Sequence, residues 1–270
     1  MSELTSVALR RPIGVWLYFG SFRAMQKLMS LAGVLFTGFW LARLSDRRRH
    51  AIDKAYYDGE GIYQTPDYNE KGLWPWEQQV IEAHFDRSTP ILLGSAGGGR
   101  EVVGLRRLGY DVDAFECHPA LVDFANAMLG RLALDTSVRL AARDECPDFG
   151  RRHGAGIVGW GGYMLIRSRQ RRVRFLRQLA AQLEPGAPLL LSFFSLNGEE
   201  LLRFQRVARV ANAFRPVLGG ERIEVGDYLV PNFVHYFRRD ELAEEAGEAG
   251  FELIYWNTQP YGHAVVRLRD

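Results

Sequence analysis

Residues 91–104 read ILLGSAGGGREVVG, three large aliphatic side chains followed at once by a stretch that has almost none. Glycine inside a helix or strand costs roughly 0.5–1 kcal/mol relative to alanine. Such a run therefore belongs where the chain turns sharply or where backbone must approach something closely. The pattern predicts a strand ending at Leu93, a bare loop over Gly94, Ser95, Ala96, Gly97 and Gly99, and a helix opening near Arg100.

The rest of the chain agrees with a strand feeding a helix. From Pro90 onward, short aliphatic runs alternate with amphipathic ones: ILL at 91–93, EVVGLRRLG, DVDAFE ending at Glu116, then PALVDFANAML. Pro119 suits a first helical turn and Gly109 a helix stop. The alternation continues with SVRLAA at 137–142, AGIVGW at 155–160, a helix from about 166 to 183, and PLLLSFF at 188–194. Five aliphatic strands joined by helical crossovers imply a parallel sheet covered on both faces. The last 32 residues differ in kind, because RDELAEEAGEAG reads as a helix while FELIYW and HAVVRL read as two strands joined by a short turn. A closing hairpin makes the sheet mixed at one end.

Composition sets limits on function. The chain has 270 residues and a formal charge of +2, so no overall field favours nucleic acid. Lys27, Lys54 and Lys71 are the only lysines, which leaves little room for Schiff-base chemistry. Two cysteines, Cys117 and Cys146, make no disulfide framework, and a cytoplasmic location is the expectation. The arginine-rich run RSRQRRVRFLRQL at 167–179 reads as a solvated helix with one buried face. Near the N-terminus, LMSLAGVLFTGFWLA at 28–42 falls short of the about 20 apolar residues that span a membrane. A buried or oligomer-forming helix is one reading and an interfacial membrane anchor the other, so a homodimer or peripheral membrane contact through residues 13–44 stays open.

In an open parallel sheet, ligands bind beyond the carboxyl ends of the strands where the order reverses. Gly97 and Gly99 would let backbone pass close to such a ligand, and the following helix N-terminus offers N–H groups. Glu116 ends the second strand, where a carboxylate can accept both hydroxyls of a ribose. Asp144 follows the third strand, in reach of an adenine amino group, with Glu145 next to it. Cys117 and His118 adjoin Glu116 and complete the expected cofactor wall.

On these positions, from Ile91 to the C-terminus, the chain resembles the class I S-adenosylmethionine-dependent methyltransferases. The family's acidic-x-Gly-x-Gly-x-Gly loop falls on Leu93 to Gly99, with Gly97 and Gly99 retained, Ser95 in place of the first glycine and Leu93 in place of the acid. Glu116 matches the ribose-binding acid, Asp144 the adenine-contacting acid, and LEPGAPLLLSF the approach to strand five. The dinucleotide-dehydrogenase alternative fails, because a Gly-x-Gly-x-x-Gly starting at Gly97 would need a small residue at Val102. The resemblance implies a Rossmann-like, doubly wound α/β fold with a seven-stranded, mostly parallel sheet and an antiparallel C-terminal hairpin. It also implies S-adenosylmethionine as cofactor, S-adenosylhomocysteine as product and methyl transfer to the oxygen or nitrogen of a small molecule. A non-methyl transfer or cyclisation with the same cofactor, or a noncatalytic binding subunit, are the alternatives.

Residues 1–88 are expected to form a helical and aromatic cap, residues 89–270 the cofactor-binding domain, and residues 198–236 an insertion near the substrate pocket. Trp160 and Tyr163, in the GWGGYM loop after the fourth strand, either face the reactive methyl or pack the sheet edge. His235 is the expected base, with Tyr163 as a second catalytic candidate. Tyr57, Tyr63, Tyr68, Trp74 and Trp76 in the cap, with Tyr236 beside His235, are the expected acceptor wall; no metal is expected.

Overall fold

The computed structural model describes residues 12–270; the first eleven residues of the expected cap lie outside it. The strands are β1 (Ile91–Gly94), β2 (Val112–Glu116), β3 (Val138–Leu140), β4 (Ala155–Val158), β5 (Pro188–Ser195), β6 (Asp227–Leu229), β7 (Phe233–Phe237), β8 (Phe251–Asn257) and β9 (Gly262–Leu268). The helices are α1 (Ile13–Arg43), α2 (Asp46–Gly59), α3 (Pro66–Asn69), α4 (Pro75–His84), α5 (Arg100–Arg107), α6 (Pro119–Arg131), α7 (Arg169–Gln182), α8 (Gly198–Leu218) and α9 (Arg239–Glu248).

Strands β1 to β5 are parallel in the order β3-β2-β1-β4-β5, and β9 then pairs antiparallel with β5 while β8 pairs antiparallel with β9. Those seven strands are the sheet expected from the sequence. Alternate residues of each strand feed opposite layers, as the pleat requires. Leu92, Phe115, Val158, Leu189 and Leu191 pack against α7, α8, α9 and the end of α1. Ile91, Leu93, Ala114, Ile157 and Leu190 pack against α4, α5 and α6. The order reverses between β1 and β4, so a crevice opens at their carboxyl ends.

The stretch 198–236 departs from the sequence reading. GEELLRFQRVARVANAF, which reads as an inserted helix with an exposed loop after it, is present as α8, but the segment after it folds into an antiparallel hairpin, β6 with β7, and β7 runs parallel to the last residues of β5 through Phe194↔Tyr236 and Ser195↔Phe237. Two short strands with a histidine at the centre of the second carry no alternation that a sequence pattern could detect.

Charge explains that histidine. The Arg172 side chain on α7 is fully buried; it donates to Glu245 of α9 at 2.5–3.1 Å and to Glu224 at 2.9 Å. His235 Nδ1 lies 2.7 Å from Asp227 Oδ1 and Nε2 lies 3.0 Å from Glu241 Oε1. Both partners are carboxylates, so both ring nitrogens donate and the ring is an imidazolium. Burial and Arg172 press its pKa down, but the bonds to Asp227 and Glu241 outweigh them and raise it from 6.5 to about 9. Around one cluster, α7, α9, β6 and β7 are therefore pinned together. The arginine-rich run is correspondingly not a solvated face: Arg169 and Arg171 bridge to Glu248 and Asp46, each at 2.7 Å.

The folded pKa of His235 lies above its unfolded value, so its stabilisation is complete below about pH 6.5 and lost as pH rises through about 9. Thermal unfolding should show the wild-type midpoint falling across that window, while His235→Gln is less stable at pH 6 and loses this component of the slope. Parallel pH curves for the two proteins would refute the charge assignment.

Candidate active site at the carboxyl edge of the sheet

A cavity of about 700 Å³ occupies the crevice, and its walls come from the loops after β1, β2, β3 and β4, from α2, and from the turn before α3. The loop after β1 is fitted to its surroundings by the absence of side chains. A Cβ on Gly94 would sit 2.6 Å from the Phe115 ring, and one on Gly98 would fall 2.2 Å from the Tyr63 carbonyl oxygen and 2.8 Å from Asn69 Oδ1. Gly97 and Gly99 have φ of +54° and +95°, the left-handed region that favours glycine. At Gly97 a Cβ would meet nothing, which leaves open space in the cavity wall beside Glu116. Ser95 adopts φ +54° with a side chain, and its Cβ and Oγ occupy the space that a Cβ on Gly162 would need.

Glu116 is largely buried and clamps the loop ends. Its Oε2 accepts the Gly97 N–H at 2.9 Å, and its Oε1 accepts the Cys117 and His118 N–H groups at 2.7 and 2.9 Å. Oε2 keeps acceptor capacity, since a carboxylate oxygen offers about two lone-pair sites. Asp144, also at φ +56°, stands across the cavity, and burial holds its carboxyl above the usual range against the pull of Arg143. Arg143 in turn bonds Asp53 of α2 at 2.9 Å, so the α2 side of the cavity is tied to the loop after β3.

Helix α4 begins at Pro75 with the Glu77 carboxylate accepting the Trp74 N–H at 2.7 Å. The same carboxylate receives both arms of Arg100 at 2.7 Å, and Arg100 also bonds Glu101 at 2.6 Å while its guanidinium lies 4.9 Å from the Trp74 ring. Glu101 accepts the Trp160 N–H at 3.0 Å and lines the cavity. It is a functional candidate that the sequence reading missed; the Arg-Glu pair directly after the glycines is the only signal for it.

Of the expected cofactor residues, Ser95, Ala96, Gly97, Glu116, Cys117, His118, Asp144, Glu145 and Trp160 all line the cavity. Gly94 and Gly99 lie behind the wall and act through loop geometry. Tyr57, Tyr63 and Tyr68 line it too, with centroids 5.5 Å apart, Tyr57 tilted against Tyr63 and Tyr63 edge to face with Tyr68, and Tyr236 closes the far side with Phe194. Burial raises the phenol of Tyr57 and pushes that of Tyr68 up to about 12, so both stay neutral.

Four expectations need correction. His235 does not face the cavity; it is fully buried with both nitrogens bonded to carboxylates, which removes the lone pair a base requires. Tyr163 is fully buried as well, donates to Glu245 at 2.8 Å, and has its phenol raised by burial, so it belongs to the charge cluster. Trp74 caps α4 and stacks on Arg100 away from the cavity. Trp76 packs against His263 and Trp160, with centroids 4.6 and 6.0 Å away, and likewise contributes no cavity wall.

Among solved structures the chain is similar to an S-adenosylmethionine-dependent methyltransferase from Methanosarcina mazei, at 18% identity and a TM-score of 0.58, covering 73% of this chain and 99% of that one. It is also similar to the CcbJ methyltransferase from Streptomyces caelestis, at 16% identity and TM-score 0.55 over 80% of this chain and 96% of that one. The fold is that of the S-adenosylmethionine-dependent methyltransferases. A third methyltransferase structure, the 1,6-didemethyltoxoflavin-N1-methyltransferase of Burkholderia thailandensis, holds 1,6-didemethyltoxoflavin and S-adenosylhomocysteine. It is 16% identical, with a TM-score of 0.57, over 82% of this chain and 87% of that one. No family model matches the sequence, and no curated protein does.

The contact at Gly98 yields a test within this methyltransferase fold. Gly98→Ala should destabilise the protein by about 1–3 kcal/mol in urea, because the Tyr63 carbonyl has to move. Gly130→Ala, where a Cβ meets nothing within 4 Å, should cost nothing measurable. Equal effects would show that the 61–69 segment is not pressed onto the loop.

Proposed function

We propose that this chain is an enzyme that transfers a methyl group from S-adenosylmethionine to a small-molecule acceptor. The observation that carries the reading is Glu116, buried at the carboxyl end of β2 next to the switch-point strand β1 and held by three backbone N–H groups beside the open space at Gly97. That arrangement fits a nucleoside: Glu116 Oε2 would accept from a ribose hydroxyl, and Asp144 or Glu145 from an adenine amino group. Glu101 would place a negative charge near the methionine end, where Leu93 supplies none. When bound, the sulfonium provides an electrophilic methyl carbon.

The chain's own residues then have to hold the acceptor in line and keep water out. With His235 and Tyr163 committed to the charge cluster, with neutral phenols around the cavity, and with His118 Nε2 turned to Asp58 at 3.2 Å, His50 is the imidazole left on the described wall, and a nucleophile that needs no protein base suits this site best. A neutral amine meets that requirement, and an oxygen acceptor meets it less well. The Burkholderia enzyme, named for methylation at a ring nitrogen, supports the same preference. The tyrosine chain and Trp160 offer flat faces to an acceptor with an aromatic or cationic portion.

On this reading the expected cap of the domain 89–270 is supplied by residues 46–88, whose α2 and tyrosines line the cavity, while α1 packs on α8. Residues 198–236 bring Val230, Asn232, Val234 and Tyr236 to the acceptor side. A cytoplasmic setting suits two free cysteines. Nucleic acid is disfavoured, because the arginines of α7 are largely engaged with carboxylates.

Titration calorimetry should show S-adenosylmethionine and S-adenosylhomocysteine binding to the wild type, with Glu116→Ala weakening both by about 1–3 kcal/mol. Absence of heat with either compound would remove the proposed function. Product mass separates methylation, one CH2 heavier, from transfer of a larger fragment of the cofactor.

A further inference from the structure

Helix α1 is packed along only its last third. Its buried residues are Val34, Thr37, Gly38, Leu41 and Ala42, and they face α8 so closely that a Cβ on Gly38 would lie 2.7 Å from Val210 Cγ1. From Ile13 to Ala32 every residue but Gly20 is exposed. At about 3.6 residues per turn, Tyr18, Phe22, Met25, Met29 and Phe36 share the side opposite the packed stripe. They form an unbroken apolar row roughly 27 Å long at about 1.5 Å per residue. These five side chains are 40–66% exposed, so none of the described residues covers them.

The polar residues of the helix have their own side. Arg23 and Lys27 fall on the extension of the packed stripe, away from the row, and residues 4–45 contain no aspartate or glutamate. Helix α8 continues the surface with exposed Leu202, Phe214 and Val217 and exposed Arg206 and Arg209; Phe214 meets Phe39 edge to face at 5.9 Å.

We propose that α1 and the adjoining surface of α8 dock this protein in the plane of an anionic lipid membrane. A helix with a long apolar row on one side, cations on the other and no acid is what a bilayer interface holds, with aromatic and methionine side chains among the acyl chains and arginine or lysine reaching up to headgroups. A second copy of the chain fits less well, since two copies of α1, which contains no acid, would bring cations together without a carboxylate of that helix to offset them. Crossing the membrane is also disfavoured: Arg23 and Lys27 sit in mid-helix and the last third is fixed to α8. The proposal is independent of methyl transfer, because it uses no residue of the cavity.

Flotation of the full chain tests it, with vesicles of phosphatidylcholine alone and of phosphatidylcholine with phosphatidylglycerol at about 3:1. The protein should float with the mixed vesicles, and high salt should weaken this binding. The triple substitution Phe22→Glu, Met25→Glu, Met29→Glu should lower the partition coefficient at least tenfold, with the unfolding midpoint and S-adenosylhomocysteine binding in buffer unchanged. Arg23→Gln with Lys27→Gln should lower binding to the mixed vesicles only. In the wild type, acyl-brominated lipid should quench tryptophan fluorescence, and Trp40→Phe, on the side of the apolar row, should remove most of that quenching. No flotation, flotation indifferent to the triple substitution, retention on the vesicles after an alkaline carbonate wash, or a dimer in light scattering that the triple substitution dissolves without any vesicle binding would each overturn the proposal.

Discussion

The bidentate pair between Arg100 and Glu77 joins the first helix after the glycine loop to the helix that ends the aromatic segment, and both side chains are almost fully buried. Breaking one partner of such a pair typically costs about 3–5 kcal/mol, because a buried charge is left behind. Its geometry depends on contacts without side chains: a Cβ on Gly104 would meet the Leu73 backbone nitrogen at 2.5 Å, as one on Gly98 would meet Tyr63. The 61–77 segment is therefore seated on the sheet domain backbone to backbone, with one ion pair to fix the register. The position of Tyr63 and Tyr68 over the cavity follows from that seating.

Such a contact is hard to read in a sequence. The glycines were legible as a loop that must approach something, and period and punctuation placed the strands and helices from β1 to β5 and the closing hairpin. What they approach was not legible, since the partner atom is a carbonyl oxygen and any residue type could stand at position 63. Glu116 and Asp144 were legible because strand ends in this topology are fixed places. His235 misled for the opposite reason: a histidine before a charged helix looks like a base, and only the partners at 227 and 241 reveal a buried cation.

The two charge clusters differ in what they organise. Around Arg172, the carboxylates of Glu224, Asp227, Glu241 and Glu245 outnumber the cations Arg172 and His235+, and Tyr163 donates to one of them. Glu224, Asp227 and His235 also stand close enough to suggest a metal site. The guanidinium of Arg172 already occupies that neighbourhood, and His235 gives both nitrogens to carboxylates, so protein cations hold these acids and no ring nitrogen is left as a ligand. Its effect is to hold the β6–β7 hairpin against the end of β5, which carries Tyr236 to the cavity. A charge network outside the site thus positions one of its walls.

A cavity walled by neutral phenols, Trp160 and the carboxylates Glu101 and Glu116 favours a cation at its centre over an anion. Carboxylates attract a sulfonium electrostatically, and aromatic faces do so through their quadrupoles. An anionic nucleophile, by contrast, would be generated next to two acids, while the wall's cations Lys54, Arg100 and Arg143 already serve Asp58, Glu77 and Asp53. Transfer to a neutral amine keeps the charge constant, because positive charge moves from sulfur to nitrogen within the same surroundings. For the proposed methyl transfer, the electrostatics of the wall and the engagement of its cations by carboxylates therefore favour the same neutral-amine acceptor by separate routes.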